Sequence, residues 1–189
     1  YGKSKLLCEL LMEKYSKSSN LTYAILRYFN VAGADAEGDL GEFRKHETHL
    51  VPSILNAIKK NNSEFTIYGN DYNTKDGTCV RDYVHVSDLV EAHFNSYLKI
   101  KDTRESITLN LASQNGFSVL DVLQACEKVS GIKVNFKIEK RRKGDVSKLV
   151  ANCNKAKEVI GWKPKFSDIK TIIDSAWKWH NSDIYKKLL

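Results

Sequence analysis

The chain has 189 residues, 42% of them hydrophobic, which is enough for one large domain, or one and a half small ones, with a real core. Its 30 Lys and Arg against 23 Asp and Glu leave a formal charge of +7, a balance that suits a nucleic acid, an anionic membrane or a phosphorylated small molecule. No apolar run approaches the ~18 residues of a membrane span. The one basic run, KIEKRRKGD at 137–145, lacks the aromatic or glycine interleaving of RNA binders, so neither a membrane nor a nucleic acid is the expected partner.

Leu6, Leu7, Leu10, Leu11 and Tyr15 recur at helical spacing and predict an amphipathic helix over residues 2–17. LTYAILRYF (21–29) is β-rich and mostly apolar, the pattern of a buried parallel strand. A glycine-rich loop, VAGADAEGDLGEF, follows. HLVPSILNAIKK (49–60) predicts a helix with Pro52 near its first turn, and EFTIYG a short strand ended by Gly69. Turn signals at Asn70–Asp71 and Asp76–Gly77 lead into an alternating run of Val80, Asp82, Val84 and Val86. Ser87 or Asp88 is placed to cap the next helix, which carries Leu89, Ala92, His93 and Tyr97.

Residues 106–112 predict a strand. Ser118 and Asp121 resemble a capping box, opening a helix through Val129 that ends near Gly131. KVNFKIE (133–139) alternates as a half-exposed strand should. A short helix spans 154–160 and stops at Gly161, and Ser167 is placed to cap a final helix through His180. Strands alternating with helices indicate an α/β architecture. Residues 1–34 read as the end of a doubly wound, Rossmann-like parallel sheet. Residues 35–189 read mainly as a smaller α/β substrate-binding lobe, with 106–112 able to return to the first sheet. Cys8, Cys79, Cys126 and Cys153 are far apart and none has CxxC spacing, so they read as reduced thiols of a cytoplasmic protein with no metal site.

Tyr1 and Lys5 stand one helical turn apart and share a face. A nearby ammonium favours the phenolate, and a Tyr tuned this way takes a proton from an alcohol while a nicotinamide takes the hydride. The same pair is also common on solvated helices. YGKSK followed by a strand into RYFNVAGA resembles the extended short-chain dehydrogenase/reductase superfamily. IYGNDYNTKDGTCVRDYVHVSDL (67–89) narrows this to the UDP-glucose 4-epimerase family, since related dehydratases share a shorter version. RYFNVAGA, KRRKGD and IGWKPKFSDIKTIIDSAWKW agree, and the resemblance covers essentially the whole chain.

The resemblance implies a set of roles. Tyr1 is the proton acceptor and donor. Lys5 binds the nicotinamide ribose of NAD and tunes Tyr1, and Phe29 packs at the nicotinamide end. Asn30 bonds the nucleotide-sugar. His49 and Leu50 contact UDP, at a site where other members have Asn–Leu. Thr66, Ile67 and Tyr68 flank the uracil. Arg81 and Arg142 hold the diphosphate, and Asp145 the uridine ribose. Leu149 borders the sugar and leaves use of N-acetylated sugars open. The implied substrates are UDP-glucose and UDP-galactose, interconverted through a 4-keto sugar, and the implied assembly is a homodimer. The family's G-x-x-G-x-x-G turn does not occur here. The match is therefore to the C-terminal half of such an enzyme, with little or no turnover expected from these residues alone.

Bland readings stand beside these roles. Arg81 can pair with Asp82 or Asp88, Asn30 can serve a turn, and Tyr68 can be a core aromatic. Lys140, Arg141 and Lys143 read as a solvated charge run, and His85 and His93 as structural. The competing functions are a non-catalytic UDP-sugar-binding remnant or subunit, another reductase or dehydratase of the superfamily, and a basic nucleic-acid-binding module.

Overall fold

The computed structural model describes residues 1–60 and 64–189. Helix α1 (Gly2–Lys17) forms where leucine spacing predicts it, yet it buries none of its side chains. Leu6, Leu7, Leu10, Leu11 and Tyr15 are all exposed. A side-chain link back to the body runs from Arg27, whose Nε donates to Glu9 Oε1 at 2.8 Å and whose Nη2 donates to Glu9 Oε2.

The single strand expected at 21–29 is two, β1 (Ala24–Tyr28) and β2 (Asn30–Ala32), divided at Phe29. Only Ile25 of β1 is buried, short of the full burial its apolar run predicts. Helix α2 (Leu50–Lys59) carries Pro52 within its first turn, where the missing N–H has no intrahelical acceptor to lose. Its Val51, Ile54, Leu55 and Ile58 recur at helical spacing and are buried. Strand β3 (Phe65–Tyr68) follows.

Strand β4 (Val80–His85) runs directly into α3 (Val86–Thr103). The cap is neither Ser87 nor Asp88. His85 caps the helix, its Nδ1 accepting the Ser87 N–H at 3.1 Å. Asp88 is drawn elsewhere: fully buried, its carboxylate accepts the Lys165 N–H (2.8 Å), the Phe166 N–H (2.9 Å) and the Ser167 hydroxyl (2.6 Å).

Strands β5 (Ile107–Leu111) and β6 (Gly116–Ser118) precede α4 (Val119–Ser130). The Ser118–Asp121 capping box forms with both of its hydrogen bonds at 2.9 Å. Strand β7 (Phe136–Glu139) is shorter than the 133–139 pattern, and all its residues are exposed rather than alternating. Strand β8 (Lys148–Leu149) and α5 (Asn154–Ile160) lead to α6 (Ile169–Asn181) and a further short helix, α7 (Asp183–Leu188). Asp168, not Ser167, caps α6 by accepting the Thr171 N–H at 2.9 Å, because the Ser167 hydroxyl is committed to Asp88.

Pairing is mostly parallel. β1 lies along β5 from Ala24↔Ile107 to Tyr28↔Leu111. β2 lies along β4 from Asn30↔Tyr83 to Ala32↔His85, and β4 also pairs with β6 (antiparallel) and β8 (parallel). β3 and β7 make a separate parallel pair. The segment after Tyr23 thus changes neighbours at Phe29, which is why one apolar run becomes two strands. One core lies among α2, α4 and α6, with Ile54, Leu55, Val122, Ile172 and Ile173 fully buried. A second packs Val84, Leu109, Leu111 and Trp162 around β5, α3 and α5. The result is an α/β fold built on parallel pairs.

Candidate functional site

A cleft of about 1150 Å³ opens where β2, the start of α2, β3 and the first residues of β4 face one another. Its walls gather residues from eight separate stretches of sequence. Tyr1, Phe29, Asn30, His49, Leu50, Thr66, Ile67, Tyr68, Arg81, Arg142 and Leu149 all line it. Of the residues singled out from sequence, Lys5 and Asp145 stand just behind the lining. The Lys5 ammonium lies 5.3 Å from the centre of the Tyr1 ring. Asp145 contacts both arginines.

Each position follows from local structure. Tyr1 is the N-cap residue of α1 and is almost wholly exposed. Phe29 sits at the step between β1 and β2, its N–H donating to Leu111 O at 3.3 Å. Asn30 opens β2 opposite Tyr83. His49 is the extended N-cap residue of α2, and its Nδ1 lies 2.7 Å from Glu42 Oε1. On β3 the buried Ile67 alternates with Thr66 and the half-exposed Tyr68, as the two-residue strand period requires.

Arg81 pairs with neither Asp82 nor Asp88. Asp82 is fully buried and accepts the Ser113 hydroxyl and the N–H groups of Ser113, Gln114 and Ala151. Arg81 Nη1 instead donates to Val80 O and Val146 O, both at 2.9 Å, and Nη2 lies 3.6 Å from Asp145 Oδ1. Arg142 Nε donates to the other oxygen, Asp145 Oδ2, at 3.0 Å, and its guanidinium lies 5.1 Å from the Tyr68 ring centre. One carboxylate between two guanidiniums leaves a net positive charge at the cleft wall. Two forked cations with donors to spare are suited to a phosphate or diphosphate. Arg81 is pre-oriented by backbone carbonyls, whereas Arg142 is 60% exposed and held by Asp145 Oδ2.

The cleft also contains residues that the sequence reading passed over. Arg27 lines it, its guanidinium held charged by the hydrogen bond and charge of Glu9. Tyr83 and Cys79 line it too. Burial pushes the Tyr83 phenol far above its usual range and raises the Cys79 thiol, so both are neutral walls. Arg44 and Glu47 lie in the stretch leading to His49, and that proximity was the available signal. Glu42, Glu47 and His49 offer ligand atoms within 4.8 Å of one another. Their charges are already engaged: Glu42 Oε1 accepts from Arg44 Nε at 2.7 Å, and Glu47 Oε1 accepts the N–H groups of Thr48 and His49.

A family model described as GDP-mannose 4,6 dehydratase matches residues 1–175. The chain belongs to the GDP-mannose 4,6 dehydratase family. The relatives of this family member are named as epimerases, on the side to which the 67–89 string points. It is 44% identical over 182 residues to a UDP-glucose 4-epimerase of Lactobacillus helveticus, covering 96% of this chain and 55% of that protein. It is 46% identical over 182 residues to one of Streptococcus mutans, with the same coverage of each. The fold matches, with a TM-score of 0.93 and 37% identity, a UDP-glucose-4-epimerase of Stenotrophomonas maltophila solved with bound NAD and formylated UDP-arabinopyranose. That match covers 100% of this chain and 56% of the other. This family member therefore spans about half the length of the curated relatives it matches. No described helix is long and apolar enough to cross a membrane.

Proposed function

We propose that this chain supplies the sugar-nucleotide-binding half of a UDP-glucose 4-epimerase, which interconverts UDP-galactose and UDP-glucose with NAD as cofactor. The observation that carries the reading is the convergence of Arg81 and Arg142, bridged by Asp145, on the cleft that Tyr1 and Asn30 also line.

The two guanidiniums hold the diphosphate through charge-assisted hydrogen bonds. Asp145 moves from bridging them to accepting the uridine ribose hydroxyls. Thr66, Ile67 and Tyr68 flank the uracil, with His49 and Leu50 across the cleft. Asn30 bonds the nucleotide-sugar, and Leu149 borders the hexose. The Tyr1 phenol oxygen, with the Lys5 ammonium 5.3 Å from its ring centre, takes the proton of the sugar 4-hydroxyl and later returns it.

The residues present fit the nicotinamide end of NAD. Tyr1 and Phe29 line the same cleft and Lys5 lies beside Tyr1. When bound, NAD supplies reversible exchange of hydride with the sugar carbon. Residues 1–34 belong with the cofactor-binding domain, and residues 35–189 mainly with the sugar-nucleotide lobe. The β1–β5 pairing supports assigning 106–112 to the first of these.

Two measurements on the purified chain test this. Calorimetric titration with UDP is expected to show saturable 1:1 binding, and its absence overturns the reading. Incubation with UDP-galactose and NAD is expected to yield little or no UDP-glucose. Sustained conversion refutes the assignment of this chain to half of the machinery.

A further inference from the structure

Arg141 and Arg142 are neighbours in sequence but point to different places. Arg142 lines the cleft. Arg141 turns to the 69–78 loop, where its guanidinium lies 4.1 Å from the centre of the Tyr72 ring. Arg141 Nε lies 2.6 Å from Asp71 Oδ1, and Nη2 donates to Asp71 O. Arg141 is exposed, as the solvated run read from sequence implies, but it also has specific partners.

The two contacts continue a backbone pairing by other means. β3 and β7 run together as far as Tyr68↔Glu139, and the Gly69 N–H still donates to Glu139 O at 2.8 Å. Past that point the rungs are side chains: Arg142 beside Tyr68, and Arg141 on Tyr72. Gly69, at φ +83°, makes the room. A Cβ there would lie 2.7 Å from both Arg141 Cγ and Tyr72 Cε2. Tyr72 is buried and its hydroxyl has no hydrogen-bond partner among the described residues, so its contribution to this contact is the ring face.

Two identical adjacent side chains create an ambiguity. Residues 140–142 run from the end of β7 into a turn at 143–144, where the Asp145 N–H donates to Arg142 O at 3.3 Å, and a slip of this stretch by one residue would bring Arg141 to the cleft in place of Arg142. Asp145 then no longer falls between Arg142 and Arg81. A planar guanidinium stacked on a ring and forked onto Asp71 removes that freedom, and Lys has neither the plane nor the fork. We propose that the Arg141–Tyr72 stack fixes the register of the 140–145 segment, so that Arg142 and not Arg141 enters the cleft and Asp145 meets Arg81. Arg141 is thus a positioning residue for the pair that holds the diphosphate. That functional consequence rests on the reading given above.

The test uses the whole chain and the variants Arg141→Met, Arg141→Lys, Tyr72→Phe, Tyr72→Leu and the double variant Arg141→Met/Tyr72→Leu. Amide hydrogen exchange across 140–145, measured without ligand, reads the stack alone. Arg141→Met and Tyr72→Leu are expected to speed it by about fivefold or more, and Tyr72→Phe to leave it unchanged. UDP titration reads the consequence. Each of the two single losses is expected to weaken binding about fivefold, the double variant no more than either, and Arg141→Lys to recover only part. Unchanged exchange and affinity in Arg141→Met overturn the proposal, as do additive losses in the double variant. If the parent chain does not bind UDP, the diphosphate reading falls and the exchange result alone decides the register. If Tyr72→Leu does not fold, Arg141→Met on the loop surface decides it.

Discussion

Arg81 Nη2 lies 3.6 Å from Asp145 Oδ1, although Arg81 belongs to β4 and Asp145 to the segment ahead of β8. The contact joins a rigid strand to a loop, and the Arg81 Nη1 bonds to Val80 O and Val146 O hold the strand side still. Arg81→Met keeps the length of the side chain and removes the charge and the fork. UDP affinity is expected to fall at least about tenfold, some 1.4 kcal/mol or more, with the melting temperature little changed. Titration of both proteins at one ionic strength checks it; equal dissociation constants would falsify the role given to Arg81.

Asp88 is the structural counterpart of that pair. Its buried carboxylate ties α3 to residues 165–167 through three hydrogen bonds. Asp88→Ala leaves two backbone N–H groups and a hydroxyl without their acceptor. A loss of about 3 kcal/mol or more is expected, read as the shift in the urea midpoint. A shift below a quarter of that size would show that water replaces the carboxylate readily.

Two glycines of similar φ should respond differently to alanine. Gly77 (φ +80°) and Gly131 (φ +74°) both occupy the left-handed region. A Cβ on Gly77 would fall 2.0 Å from Asn70 O, whereas Gly131 has nothing within 4 Å. Gly131→Ala is expected to cost about 1 kcal/mol from backbone strain alone, and Gly77→Ala clearly more, because backbone must move. Thermal melts of the two variants side by side rank them; equal losses sink the argument from space.

His180 sets a pH dependence of stability. It is buried against Tyr185, ring centres 4.4 Å apart, with Nδ1 unpartnered. Burial foremost, and then the Lys59 charge, lowers its pKa from 6.5 to about 4. The unfolded chain therefore binds a proton between pH 6.5 and 4 that the folded chain refuses. Stability is full above pH 6.5 and declines as pH falls towards 4, by an amount on the order of 3 kcal/mol. Denaturant midpoints at pH 7, 5.5 and 4.5 should show the decline, and His180→Phe should flatten the part due to this ring. A parent curve as flat as the variant's would rule His180 out.

Much of this was legible from local pattern. The helices α1 to α6, the capping box at Ser118–Asp121 and the order of the longer strands all depend on neighbours within a few residues, which the sequence displays directly. Failures came where distant segments compete for one group. Ser167 looks like a cap and Asp88 looks like a cap, but they bind each other, leaving His85 and Asp168 to do the capping. The 21–29 run split because its halves take different partner strands. The motif residues converge on one cleft, yet Arg27 and Tyr83 were missed, since nothing near them in sequence marks their neighbours. Arg141 is exposed as its charge suggests, but its ring partner is not visible in sequence.

Strand β7 gives the chain's basic excess a further meaning. It pairs on one edge only, with β3, and it exposes Phe136 and Ile138. A free edge with apolar side chains invites the same edge of another molecule. Lys133, Lys137 and Lys140 stand along it and just beyond its ends. Lys133 is paired with Glu127, and Lys137 with Glu64 and Glu139, so two copies brought edge to edge would have to strip water from fixed charges, a cost that opposes the zipper the backbone would otherwise close. Here charge works between molecules as a colloidal guard.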